Sequence, residues 1–165
     1  MSSKTYALAV SAVLMSALAA SAQPTRVKQF DAWGVYSYGS GNAKRCYALS
    51  VPTSQQPASV NHGENFFLVA PQAGASNLMP QAIMGYGLKA DSRVALSVGS
   101  ENFTLVPKEN AAWVRDPARE PVLVRAMRGG SDMTLKAVSA RGTNTTYTYS
   151  LRGITAALKE VSRCR

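Results

Sequence analysis

Thr145-Thr146-Tyr147-Thr148-Tyr149-Ser150-Leu151 carries the plainest secondary-structure signal in the chain. Tyr147, Tyr149 and Leu151 alternate with Thr146, Thr148 and Ser150, a period of two residues that puts the large side chains on one face of an extended strand. Threonine and tyrosine both favour such a half-buried pleated surface. Arg141-Gly142-Thr143-Asn144 is turn-forming sequence, and the segment before it, Asp132 to Ser139, reads as another strand.

The same reading extends towards the N-terminus. Asn102 to Val106 and Arg93 to Val98 are strand candidates around the tight turn Gly99-Ser100-Glu101, and Ala82 to Tyr86 is another. Asn65 to Ala70 is short and nearly continuously apolar, the pattern of a central strand. Gln29 to Tyr38 and Arg45 to Val51 flank Gly39-Ser40-Gly41-Asn42 and are expected to form a hairpin, with Trp33 and Val35 on the face opposite Phe30, Ala32, Gly34 and Tyr36. Residues 52–63 and 71–80 read as loops. Two short helices interrupt this all-β pattern. One starts at Glu120-Pro121, with proline at its first position, and stops at Gly129-Gly130. The other is capped by Thr155 and carries Ile154, Ala157, Leu158, Val161 and Cys164 on one side.

The first residues have the three-part order of an export signal: Lys4, an uncharged apolar run from Ala7 to Ala20, and Ala20-Ser21-Ala22 before Gln23-Pro24. Cleavage is expected between Ala22 and Gln23, so residues 1–22 form the signal and 23–165 a single domain. The expected location is periplasmic, outer-membrane-associated or secreted. The net charge is +9, and Lys4 is the only charged residue of the signal. An exported basic protein is matched to anionic partners, either an envelope component or a host surface, with peripheral membrane contact among the modes. Nucleic acid is not an expected partner. The plainer reading of the charge is solubility.

Cys46 and Cys164 are the two cysteines. In an oxidising compartment two cysteines in a small domain pair with each other, the alternatives being two free thiols or intermolecular pairing. Such a bridge would fasten the last helix to the sheet.

Catalytic patterns are sparse. His62 is the only histidine and lies in the turn-like Asn61-His62-Gly63-Glu64, which reads as a polar loop tip. One histidine and one glutamate are too few ligands for a metal site. No Gly-x-Ser-x-Gly elbow positions a nucleophile. Gly85-Tyr86-Gly87-Leu88-Lys89-Ala90 matches a dinucleotide fingerprint in letters only, since a strand rather than a helix follows. No cofactor, metal or catalytic residue is therefore expected. Lys44, Arg45, Arg125, Arg128, Arg141 and Arg152 are candidate contacts to an anionic partner if the fold gathers them. Trp113, in the polar stretch 110–115, is a candidate exposed anchor.

Ordered through the chain are Phe30-Asp31-Ala32-Trp33-Gly34-Val35, Lys44-Arg45-Cys46-Tyr47-Ala48, Phe66-Phe67-Leu68-Val69, Met84-Gly85-Tyr86, Ala112-Trp113, and the run from Ser139-Ala140-Arg141-Gly142-Thr143 through Tyr147 to Leu158. In this set the chain resembles the invasion-associated locus B family of small exported proteins of Gram-negative bacteria. The resemblance implies an immunoglobulin-like β-sandwich, an envelope location and, for some members, a part in host-cell entry. It carries over no catalytic residues. Some members have a further cysteine pair, for which Tyr36 to Tyr38 offers no counterpart. The expectation is a non-enzymatic binding or interaction module. The alternatives are a structural subunit of a periplasmic assembly and an envelope hydrolase.

Overall fold

The computed structural model describes residues 23–72 and 77–164. The expected signal segment, residues 1–22, with Ala22 on one side of the expected cleavage position, lies outside the described residues; Gln23 is the first within them. The strands are β1 (Thr25–Phe30), β2 (Trp33–Tyr38), β3 (Arg45–Ser50), β4 (Ser54–Gln56), β5 (Phe66–Pro71), β6 (Leu78–Ile83), β7 (Val94–Val98), β8 (Glu101–Lys108), β9 (Ala111–Val114), β10 (Asp132–Val138) and β11 (Asn144–Ser150). The helices are α1 (Glu120–Gly129) and α2 (Ile154–Arg163).

The strands form one antiparallel sheet in the order β1-β2-β3-β5-β6-β9-β8-β7-β10-β11-β4. The sheet folds over so that its two halves face each other. Phe67 of β5 meets Tyr149 of β11 at a ring separation of 5.9 Å. The Trp33 indole N–H of β2 donates to the Ser150 carbonyl of β11 at 2.9 Å. The result is sandwich-like, as expected, with the strands in one continuous ladder rather than two separate sheets. Between the halves lie Trp33, Val35, Phe67, Val69, Leu96, Leu105, Leu135, Tyr147 and Tyr149, all buried. Burial of a large apolar side chain stabilises a fold by about 1.5–3 kcal/mol, and this cluster is the main source of cohesion.

The alternation in β11 is borne out: Thr145, Tyr147 and Tyr149 point inward, while Thr146, Thr148 and Ser150 are half-buried. β11 pairs with β10 from Asp132↔Ser150 to Val138↔Asn144. The hairpin of β2 with β3 is present as well. Other boundaries differ. Gln29 to Tyr38 is not one strand, because the chain reverses at Asp31, whose φ is 47°, and β1 returns along β2. Leu78 to Pro80, read as loop, belongs to β6, and Ser54–Gln56, also read as loop, adds β4 beside β11. Thr155 does not cap α2. That position belongs to Gly153, whose φ of 92° only glycine adopts readily.

α2 packs on β1, β2, β3 and β5 through Ile154, Ala157, Leu158 and Val161, and α1 packs on β6 and β7 through Leu123, Val124 and Met127. Both helices pack on the core side of the sheet: their buried residues join the same cluster as Val35 and Phe67, and Cys46, bonded to the end of α2, shares the face of Ala48 and its partner Val35. The gap between α2, the start of β3 and the α1 end creates the larger of the two recesses described next.

Candidate functional site

Cys46 and Cys164 form a disulfide, with Cα atoms 6.0 Å apart. It joins β3 to the end of α2 and lies in the wall of a groove of about 940 Å³. Pro71, Leu78, Leu158 and Val161 supply apolar surface to this groove. Lys44, Arg45, Arg128 and Lys159 supply cations, and among the described residues no carboxylate lines it. Local structure sets each position. Lys44 and Arg45 leave the 3₁₀ turn Gly41–Ala43 and enter β3, and the Arg45 guanidinium is steadied by donating to the Asn42 and Lys44 carbonyls at 3.0 and 2.8 Å. Arg128 sits in the last turn of α1, where a cation also complements the helix dipole. Lys159 lies one helical turn beyond Thr155 along α2. Among the described residues the one ion pair is Arg119–Glu101, so none of these four cations is neutralised by a protein carboxylate there. Arg125 lines a shallower depression that adjoins the groove and shares Leu78 and Arg128 with it.

A second recess, a cleft of about 560 Å³, lies where residues 60–63, residues 85–87 and the turn 139–143 meet. His62 is here, and it is not a loop tip: only 8% of it is exposed. Its Nε2 meets the Pro57 carbonyl at 2.9 Å and its Nδ1 meets the Tyr147 hydroxyl at 2.8 Å. Asn65 clamps the loop, donating to the Gln55 side chain and to the His62 and Gly63 carbonyls while accepting from Gly85 N–H. The Gly63 and Gly85 backbones touch so closely that a Cβ on either would collide with the other strand of the contact. Burial, then the bond with Tyr86, pushes the Tyr147 hydroxyl far above the ordinary tyrosine range, and burial does the same to Tyr149. Among the described residues no cluster of histidine, cysteine and acidic side chains could hold a metal ion. No helix there is long and apolar enough to cross a membrane.

The profile of the family described as Invasion associated locus B (IalB) protein matches residues 33–162. The chain belongs to this family. The IalB-family fold is seen again in the crystal structure of invasion associated protein b from Bartonella henselae. That structure aligns with a TM-score of 0.59 at 18% identity, over 82% of this chain and 94% of that one. Among curated proteins none matches the chain.

In this IalB-family chain the six basic candidates do not form one patch. Lys44, Arg45 and Arg128 converge on the groove and Arg125 adjoins it. Arg141 lines the cleft instead, because its turn is pinned there by the Ala140 N–H to Gly87 carbonyl bond. Arg152 lines neither, being exposed in the connection between β11 and α2. Trp113 is not an exposed anchor. It sits half-buried in β9, between Gln81 of β6 and Val106 of β8, in a strand that its polar neighbours concealed. Lys159 is the site residue that sequence reading passed over. Its signal was its helical spacing from Thr155 and Ser162, which share the groove edge.

Proposed function

We propose that this protein is a non-enzymatic interaction module of the bacterial envelope whose groove beside the Cys46–Cys164 bridge takes an anionic lipid. One observation carries the reading: four cations and a strip of apolar surface share one groove that, among the described residues, has no carboxylate in its lining. An anionic lipid matches both halves, its phosphate on the cations and the head of its acyl chain along Leu78, Leu158 and Val161. The export signal in residues 1–22 supports the envelope location. The non-enzymatic part draws support from His62, both of whose ring nitrogens are engaged within the protein.

Co-sedimentation with vesicles tests this. Binding is expected to vesicles of phosphatidylglycerol and phosphatidylcholine at low salt, weak binding to phosphatidylcholine alone, and release at about 0.5 M salt, where screening reaches a few ångströms. Lys44→Glu with Arg128→Glu should abolish it. Equal binding to neutral vesicles, or binding to acidic glycan or peptide but no vesicle, overturns the lipid assignment.

The family name, and the invasion-associated character of the Bartonella protein that shares the fold, favour a second reading, a part in host-cell invasion. It requires surface exposure. Cleavage by protease added to intact cells supports it, and full protection until the envelope is opened removes it.

A further inference from the structure

The His62 cleft has no part in the groove reading, yet its polar groups form one continuous chain. From the Pro57 carbonyl it runs through His62 Nε2 (2.9 Å) and Nδ1 to the Tyr147 hydroxyl (2.8 Å), the Tyr86 hydroxyl (3.1 Å), Thr145 Oγ1 (2.6 Å) and the Ala137 carbonyl (3.2 Å). Both ends are carbonyl oxygens, which only accept. Five contacts therefore require five hydrogens. A neutral imidazole, two phenols and one threonine hydroxyl bring one hydrogen too few. Burial keeps the Tyr147 phenol protonated, so loss of its proton does not alter the count. The missing hydrogen is present only when His62 carries an N–H on both nitrogens, which makes it a cation.

That charge would sit at the floor of a cleft with a second cation on its rim. Arg141 is presented by a turn locked internally: Ser139 N–H to Thr143 carbonyl at 2.9 Å, Thr143 N–H to Ser139 Oγ at 3.0 Å and Gly142 N–H to Ser139 carbonyl at 2.8 Å. Asn61 Oδ1 accepts from Gly63 N–H, which leaves its amide donors for solvent or a ligand. Thr143 and Tyr86 complete a polar lining, without a carboxylate among the described residues.

We infer that this cleft is a proton-linked binding site for a small oxyanion, held by Arg141 and by the positive charge that His62 takes up. Both ring nitrogens stay in the hydrogen-bonded chain, so His62 acts by charge and not by contact. An oxyanion in the cleft favours the imidazolium, and the imidazolium favours the oxyanion by the same factor. The titratable and charged groups around the ring are Tyr147 from β11, Tyr86 from residues 85–87, Arg141 from the 139–143 turn, and Glu64, exposed two residues along its own loop. Of these Arg141 is a basic and Glu64 an acidic side chain, and they are of opposite sign.

Sulfate is the suitable probe, because its charge is constant while an imidazole titrates. In the nitrogen-15-labelled chain, the Gly142 and Thr143 amide shifts report the cleft separately from the groove. Sulfate affinity at those amides should rise about tenfold or more between about pH 8 and about pH 5.5, as one added charge at close range implies. At intermediate pH, adding sulfate should convert the His62 ring signals to those of the doubly protonated form. Arg141→Ala, at an exposed position, should remove the response, whereas Lys44→Glu with Arg128→Glu should leave it. His62→Gln should bind weakly and without pH dependence. Affinity at these amides that is independent of pH, unchanged by Arg141→Ala, or absent at both pH values overturns the assignment, and none of these results bears on vesicle binding.

Discussion

Two neighbouring tyrosines on the same face of β11 have opposite hydrogen-bond standing. Tyr147 and Tyr149 are both fully buried, but the Tyr147 hydroxyl bridges His62 and Tyr86 while the Tyr149 hydroxyl has no partner among the described protein groups. A buried donor that loses its partner costs about 1–3 kcal/mol, whereas removing a hydroxyl that had none relieves a cost of the same origin. Tyr147→Phe is therefore expected to lower unfolding stability by about 1–3 kcal/mol, and Tyr149→Phe to leave it unchanged or raise it by up to about 1 kcal/mol. Urea denaturation of both variants decides this. A Tyr149→Phe loss as large as that of Tyr147→Phe would show that the Tyr149 hydroxyl has a partner that matters. The standing of these residues was not legible in the sequence. Alternation told that both tyrosines face inward, but the partners come from residues 62 and 86, which no spacing rule connects to 147.

At the level of elements, the junction before α2 depends on one glycine. Gly153 has φ 92°, and a Cβ there would run into the Phe30 carbonyl of β1. Gly153→Ala combines left-handed strain of about 1–2 kcal/mol with that collision and should cost at least about 2 kcal/mol, while exposed Arg152→Ala should stay within about 0.5 kcal/mol. Thermal unfolding of the pair checks it; equal midpoints would mean that α2 can move off β1 at no cost. The elements that sequence exposes are those with one wet and one dry face. β11 and α2 are of this kind, and their periods of two and 3.6 residues survive in the letters. β1 is not: Thr25-Arg26-Val27-Lys28-Gln29 is exposed along its length, so no hydrophobic alternation marks it. β6 was hidden by Pro80, and β9 by its four residues and by the reversal at Glu109, where φ is 56°. The groove was half legible for the same reason. Lys44, Arg45 and Arg128 stand out as charges, but only the placement of α2 against β3 brings Lys159 to them.

Over the whole molecule, one bond links distant parts of the chain. Cys46 and Cys164 are 118 residues apart, and closing a loop of that length is worth roughly 4–5 kcal/mol in the chain-entropy account. Replacing both cysteines by serine should lower stability by an amount of that order and weaken vesicle binding, because α2 forms one side of the groove. Denaturation with and without a thiol reductant measures the first effect and co-sedimentation the second. A reduced chain as stable as the oxidised one would contradict the role given to the bond. The position of that bond also sets a timetable. Residues 41–46 form one bank of the groove and residues 155–164 the other. During synthesis the first bank exists long before the second, and a chain cut short anywhere between them has cations but no groove to hold them. On the lipid reading proposed for this groove, capture is thereby withheld until residues 155–164 have been made and folded, and a ribosome's unfinished product stays silent towards the proposed lipid.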